Sequence, residues 1–520
     1  MTTNTEEIEP KPTNRLIAFI EKAGSKVPDP IIIFIYFFVF SFILTVFIGG
    51  LSFQTQSADG TAITHVIKNM ADTEHVRWLF DNAILKNWLA FGNGVLGVIL
   101  IVMLGVGVAE NSGLFATVLK KLGTKLSDKF LTPALIFLGI MSSIASDAGY
   151  LVLIPLAGLL FAGLGKHPLI GMAAAFAGVS AGFSANLIPA TPIDVIIGLN
   201  AQAFAEAQGV PFETASGETL TPATMHYYFI FASTFLLVIL GTWVSNRFVA
   251  PRLENQSYEL PDGLDLSDFS VSEQEQKGLK ASFWGLIASL AVIGLLAIGP
   301  LAPFENDKGQ TIKPLLDNVI LLISFVFIAV GAAFGVASGK FKNLMDIVQA
   351  MISQMNAMGY ILVLTFFSYN FLGLLSYSGL GTYITYLGVT FLQWLGVQDF
   401  PILLIVSFIF TTAIINLFVG GLTSKWMLLG PVFIPMLYQV NPAMTPDLVA
   451  AAYRVADSAT NIITPMMIYS GIILAFIRKY KPNFAFGELI IIMLPYSFVF
   501  LIFWTLLLIG FFALGIPLGF

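Results

Sequence analysis

The sequence predicts an all-α polytopic membrane protein, with about nine transmembrane helices, two oppositely oriented re-entrant hairpins and an inverted repeat. Three observations predict it. Of 520 residues, 57% are hydrophobic and only 11% charged, where soluble chains run at about 45–50% and about 25%. Nine apolar runs approach or exceed the roughly 20 residues that cross a bilayer as a helix. Two further apolar stretches, 131–165 and 400–438, are too long for one span and carry small, polar or charged residues in the middle. Composition also excludes classes of function. With no Cys, disulfides, thiolate metal sites and thiol catalysis are ruled out. The net charge of −6 is spread along the chain with no basic block, so no nucleic-acid partner is expected.

Residues 1–30 read as a polar tail followed by a short amphipathic segment (Arg15, Leu16, Ile17, Phe19, Ile20). The run 31–50 has no small-residue cleavage site after it, so it reads as a retained span. The first half, 31–250, adds spans at 91–118, 169–197 and 228–249, with the hairpin at 131–165. A linker at 251–280 leads to the second half, 281–520. Its spans lie at 282–301, 315–336, 350–375, 448–477 and 489–514, with the hairpin at 400–438. The loops 51–90, 199–226 and 254–275 read as connectors.

Basic residues orient this arrangement. With the N-terminus cytoplasmic and both odd stretches re-entrant, eighteen of the 25 Lys and Arg fall on the cytoplasmic side. Only Lys68, Arg77, Lys86, Lys308 and Lys313 fall outside, and Lys425 and Arg454 stay inside apolar segments. The two hairpins then enter from opposite faces. Each is followed by a span interrupted by polar residues and Pro: Ser184, Asn186, Pro189, Thr191 and Pro192 in 169–197, and Thr460, Asn461, Thr464 and Pro465 in 448–477. Inverted repeats with discontinuous helices are the architecture of secondary transporters. Backbone that leaves the helix at membrane depth is tolerated only where protein or water surrounds it.

Several motifs reduce to packing. Gly92, Gly94 and Gly97 spell G-x-G-x-x-G, but no strand precedes them, and Gly178 and Gly182 spell a helix-contact G-x-x-x-G. His65, His75, His167 and His226 have no ligand partner at i+4. Walker A and H-E-x-x-H are absent, so neither an ATP engine nor an enzyme is expected.

The charges at membrane depth carry more information, because each costs at least about 2.5–3.5 kcal/mol there. They are Asp147, Asp194, Lys425, Arg454 and Asp457, with Glu110 nearer an interface. Arg454 and Asp457 are three apart on one helix face. Either they pair with each other, or Arg454 takes a substrate carboxylate and frees Asp457 for a proton or cation. Asn186, Asn461, Thr191 and Thr464, with Asp194, offer oxygens that suit sodium, or they cap half-helices. The hairpin tips supply Ser142, Ser143, Ser146 and Asp147 on one side, and Asn416, Gly420, Gly421, Thr423 and Ser424 on the other. Trp426 either stacks on an aromatic substrate or fills the core. A channel, an intramembrane aspartyl enzyme and a sodium-coupled divalent-anion symporter remain rival readings.

The stretch 451–467, AAYRVADSATNIITPMM, strongly resembles the aminobenzoyl-glutamate transporter (AbgT) family. So do 173–186 (AAAFAGVSAGFSAN), 146–155 (SDAGYLVLIP) and 493–497 (MLPYS). The resemblance spans nearly the whole chain. It implies a homodimer with an elevator-type core in the bacterial cytoplasmic (inner) membrane. It also implies ion-driven transport of p-aminobenzoyl-glutamate, or export of p-aminobenzoate and sulfonamides, with no cofactor beyond coupling sodium or protons. The family's functional positions carry over to Asp194, Thr423, Trp426, Pro446, Arg454, Asp457 and Pro465. Thr423 replaces a Ser of the family pattern and keeps the hydroxyl, while Lys425 is a charge whose role the resemblance does not supply.

Overall fold

The computed structural model describes residues 28–56, 62–91, 95–123, 128–145, 149–260, 270–305, 311–312, 314–419, 421–464, 467 and 469–520. The expectations placed on the N-terminal tail, Gly92, Gly94, Ser146, Asp147, Gly420 and Pro465 lie outside these residues.

In chain order the first half holds α1 (Pro30–Ile48), an antiparallel hairpin of β1 (Ser52–Gln56) and β2 (Ala62–Val66), and α2 (Thr73–Asn82). It continues with α3 (Val95–Asn111), α4 (Leu114–Gly123), α5 (Asp128–Met141), α6 (Ile154–Gly163), α7 (Pro168–Phe176), α8 (Pro192–Ala207) and α9 (Tyr227–Val244). The second half holds α10 (Glu273–Ile298), α11 (Val319–Ala337), α12 (Leu344–Ala357), α13 (Gly359–Ser378) and α14 (Leu380–Trp394). It ends with α15 (Pro401–Asn416), α16 (Leu422–Val440), α17 (Pro446–Thr460), α18 (Ser470–Arg478) and α19 (Phe486–Ala513).

Among the described residues six helices are long and apolar enough to cross a membrane: Pro30–Ile48, Tyr227–Leu253, Glu273–Ile298, Ile320–Ala337, Gly359–Ser378 and Phe486–Ala513. The other three expected spans are divided. The run 91–118 bends at Gly113, whose φ of +87° suits glycine, into α3 and the basic, amphipathic α4. The run 169–197 leaves the helix after Ala181 and resumes at Pro192, and 448–477 ends α17 at Thr460 and resumes at Ser470. The amphipathic α14 was not foreseen, because its mixed face breaks the apolar run that marks a span.

Local chemistry sets where the broken helices restart. Thr191 caps α8, accepting from Asp194 N while the Asp194 carboxylate accepts from Thr191 N, with Pro192 in the first turn. This is a capping box strengthened by a proline that costs no hydrogen bond. Just before it Ala190 holds φ at +56°, an uncommon conformation for a residue with a side chain. At the second tip Gly421 takes φ of +80° immediately before α16, a turn that a Cβ would strain.

The helices form two packed groups. In one, α3 lies against α11 and α12, and α11 packs on α10. Side chains on α1 and α10 such as Phe40, Phe47, Trp284 and Ile298 point outward and exposed, as in lipid-contacting helices. The other group is built round α17, every residue of which is buried, with α15, α16, α8 and α19 packed against it. A helix apolar all round would ordinarily fill such a position; α17 carries Arg454 and Asp457 there instead.

The Gly178 motif serves close packing. A Cβ on Gly178 would lie 2.4 Å from Ile136 O, and one on Gly182 would lie 2.4 Å from an Ile140 side-chain carbon. The break of the first half thus lies directly on the α5 backbone. Gly178→Ala is expected to destabilise the fold by about 1–3 kcal/mol through overpacking. Gly97→Ala, where no atom lies within 4 Å of the new Cβ, is expected to leave the melting temperature unchanged or slightly raised. Melting of the purified protein in detergent checks both.

Candidate functional site

A cavity of about 290 Å³ opens where the segments after α5 and before α16 meet the two helix breaks. Ser143 reaches it from the turn after α5, and Gly421, Leu422 and Thr423 from the start of α16. The first break contributes Ser180, Phe183 and Ile193, and the second Asn461, Thr464 and Tyr469. Met103 of α3 and Ile361 of α13 complete its wall. Its described lining offers hydroxyls, one amide and apolar surface, with no charged side chain. Tyr150 and Tyr469, one from each half, stack at its wall with ring centroids 4.1 Å apart and planes 11° apart. Such a wall suits a flat aromatic ring with hydrogen-bonding groups at its edge.

The charges lie behind this wall, in two clusters joined by α17. In the first, Arg454 Nη2 pairs with Asp194 Oδ1 at 2.7 Å and donates to Ser184 O at 3.0 Å. Arg454 Nη1 reaches His226 Nδ1 at 3.2 Å, and His226 Nε2 reaches Asp447 O at 2.8 Å. A guanidinium only donates, so His226 Nδ1 accepts and the imidazole is the neutral Nε2–H tautomer. In the second cluster, Lys425 Nζ pairs with Asp457 Oδ1 at 2.5 Å and also donates to Asn416 Oδ1. Asn416 Nδ2 is shared among Asp457 O, Thr460 Oγ1 and Asn461 Oδ1.

Pairing of Arg454 with Asp457 along one helix, one of the two alternatives read from the sequence, is not what forms: two ion pairs between elements take its place. Side chains three apart share a face, but a buried charge takes the partner that also satisfies its remaining hydrogen bonds. Arg454 finds that in the first break, and Asp457 in the second tip. One rigid helix thereby holds both halves at their irregular points.

The remaining site residues fall into three settings. Asn461, Thr464 and Thr423 face the cavity. Asn461 Nδ2 also reaches Asp457 Oδ2 at 3.3 Å, and Thr464 Oγ1 donates to Leu417 O at 3.3 Å. Asn186 instead pins the first tip, donating to Ser143 Oγ at 2.9 Å and accepting from Ile188 N. Asp194 faces Arg454, and its Oδ2 accepts from Thr191 N and Oγ1 at 2.8 Å each. The oxygens set out for sodium (Asn186, Asp194, Asn461, Thr464) thus sit in separate networks in this conformation. Trp426 is fully buried, donates Nε1 to Ile197 O at 3.1 Å and packs between Phe204 and Tyr453. Ser424 and Pro446 are buried too, Pro446 in the first turn of α17.

Sequence reasoning missed Asp447 and the roles of His226, Tyr150 and Tyr469. Asp447 follows Thr445 and Pro446, which reads as an ordinary helix start, and is buried with no hydrogen-bond partner on Oδ1 among the described residues. His226 sits far from α17 in sequence, so nothing local marks it. His167, in the turn before α7, is held at a pKa of about 4 by burial and then by Lys481; it stays neutral and caps α7 through Nδ1.

Residues 15–520 match the sequence profile described as the AbgT putative transporter family. The chain is 27% identical over 513 residues to the p-aminobenzoyl-glutamate transport protein of Escherichia coli (strain K12), covering 98% of this chain and 96% of that one. Its fold is similar to the YdaH transporter of Alcanivorax borkumensis, at 35% identity and a TM-score of 0.84, over 95% of this chain and all of that one. It is equally similar to MtrF of Neisseria gonorrhoeae, at 33% identity and a TM-score of 0.84, over 95% and 97%. MtrF is described as illuminating a class of antimetabolite efflux pumps.

The two-cluster geometry has a measurable consequence. Arg454→Met strands the buried Asp194 carboxylate and is expected to cost about 3–5 kcal/mol of stability. The double variant Asp194→Asn with Arg454→Met is expected to recover much of that loss in melting experiments, because it leaves no uncompensated charge.

Proposed function

The chain belongs to the AbgT putative transporter family, and from that membership we propose that it is an ion-gradient-driven secondary active transporter of p-aminobenzoyl-glutamate and related aromatic carboxylates. The family and the relatives are transporters rather than enzymes, and several apolar helices make this a multi-pass membrane protein. The observation that carries the reading is the cavity where both tips and both breaks meet. Broken helices converging on one pocket support alternating access around a fixed binding position.

In this proposal 131–165 and 400–438 are re-entrant hairpins, the α17 group moves as an elevator-type core against the α3–α11 group, and two copies form a homodimer. The protein sits in the bacterial cytoplasmic membrane with its N-terminus inside. The Tyr150–Tyr469 wall takes the aromatic ring, and Thr423, Ser143 and Asn461 bond its polar edge. The start of α16 at Gly421 gives amide N–H groups and a positive dipole end to a carboxylate. Ser424, Trp426 and Pro446 support the same pocket from behind. Asp194, Asp457, Asn186 and Asn461 handle the coupling ion, sodium or proton. Arg454 serves the substrate only if it leaves Asp194, so its first role is to tie α17 to the first break.

A second reading, proton-driven export of p-aminobenzoate and sulfonamide drugs, is favoured by one observation: the described lining carries no charged side chain, which suits a substrate with little charge.

Proteoliposomes distinguish these readings. Under an inward sodium or proton gradient, radiolabelled p-aminobenzoyl-glutamate is expected to accumulate, and Tyr469→Leu is expected to reduce its apparent affinity about tenfold, equivalent to roughly 1.4 kcal/mol of lost ring contact. Movement of p-aminobenzoate or a sulfonamide only against an opposing proton gradient would favour export instead. No movement of either compound under any gradient would refute the proposal.

A further inference from the structure

Lys425 is the buried charge that no functional role has yet absorbed. It lies in the first turn of α16, directly after the second tip, and its side chain is essentially inaccessible, as is that of Asp457. Its ammonium meets Asp457 Oδ1 at 2.5 Å and the side-chain oxygen of Asn416, the last residue of α15. The two residues that flank the tip thus converge on Asp457 of α17, Lys425 on its carboxylate and Asn416 on its main-chain oxygen. Three further bonds hold the same tip: Tyr453 Oη donates to Leu422 O at 2.5 Å, Asn416 Nδ2 donates to Asp457 O at 2.7 Å, and Thr464 Oγ1 donates to Leu417 O at 3.3 Å.

Asp457 Oδ1 and Asn416 Oδ1, with Asp457 Oδ2 and Asn461 close by, are the hard oxygens a small monovalent cation seeks. The position they make holds a cation already, one that is covalently part of the chain. The charge arithmetic allows a single occupant. Arg454 is paired with Asp194, so Asp457 has one positive partner among the described residues. A buried carboxylate stripped of that partner is strongly disfavoured.

We propose that the Lys425 ammonium is a tethered competitor for the cation position at Asp457, displaced only when the second tip lifts away from α17. Because Lys425 rides on the tip, a free cation such as sodium enters as the tip leaves, and the returning tip expels it. Tip movement beside the cavity and cation occupancy are then two readings of one equilibrium. This rests on the proposed ion-coupled transport and assigns Lys425 to it as a positioning residue.

The test is sodium-dependent melting of the full-length protein in detergent, with choline chloride holding ionic strength and pH constant. Lys425→Met removes the competitor, so the sodium concentration giving half-maximal stabilisation is expected to fall at least tenfold below that of the wild type. Lys425→Met combined with Asp457→Asn is expected to lose the sodium-specific response. Should Lys425→Met yield no folded protein, Lys425→Gln carries the same expectation. Equal midpoints in wild type and variant, or a sodium response that survives in the double variant, would overturn the inference. Wild-type proteoliposomes separate the two levels. Gradient-driven uptake with an unmoved Lys425→Met midpoint sinks only the role of Lys425. A shifted midpoint with no uptake in the wild type sinks the transport reading and leaves the competition standing.

Discussion

A charge held in an apolar core must find an opposite charge and enough hydrogen bonds to replace water, and α17 imposes that condition twice within one turn. Arg454 meets it with Asp194, Ser184 O and His226. Asp457 meets it with Lys425, while Asn461 reaches its other oxygen. The first set belongs to the break of the first half and the second to the tip of the second half. The irregular backbone at both places is therefore anchored to a helix buried along its whole length. Pairs of this kind add little net stability over apolar packing, but they penalise alternative arrangements heavily. They specify which segments meet α17, and so where the cavity forms.

The same condition shapes the cavity. With both cations of the region consumed by carboxylates, the described wall is left with hydroxyls, the Asn461 amide and stacked tyrosines. Neutral polar groups recognise a ligand's edge without the desolvation cost of a fixed charge. Met103 and Ile361 complete the wall from helices outside the α17 group. The pocket thus lies where α3 and α13 meet the helices packed on α17.

Much of this was legible in the chain. Six of the nine expected spans correspond to long apolar helices, because twenty apolar residues in a row have few other stable fates. The breaks were legible because Pro, Asn and Thr inside an apolar run oppose helix continuity, and Thr191-Pro192-Ile193-Asp194 spells its own capping box. The buried charges were legible as exceptions to hydropathy. Asn461, Thr464 and Thr423 reach the cavity for the same reason, being polar residues at interruptions.

What the sequence by itself determined is a multi-span helical protein with two interrupted units and a short roster of charges at depth, since hydropathy and helix-breaking are local properties. Partner choice was decided by the tertiary structure. Arg454 and Asp457 share a face, and local spacing favours their pairing. Yet the competing partners, Asp194 and Lys425, are 260 and 32 positions away and become available only through packing. Trp426 turned inward to Ile197, and Tyr150 met Tyr469 across the two halves, for the same reason. Spacing along a helix measures the distance to sequence neighbours, whereas the energy of a buried charge or ring depends on whatever element the fold brings against it.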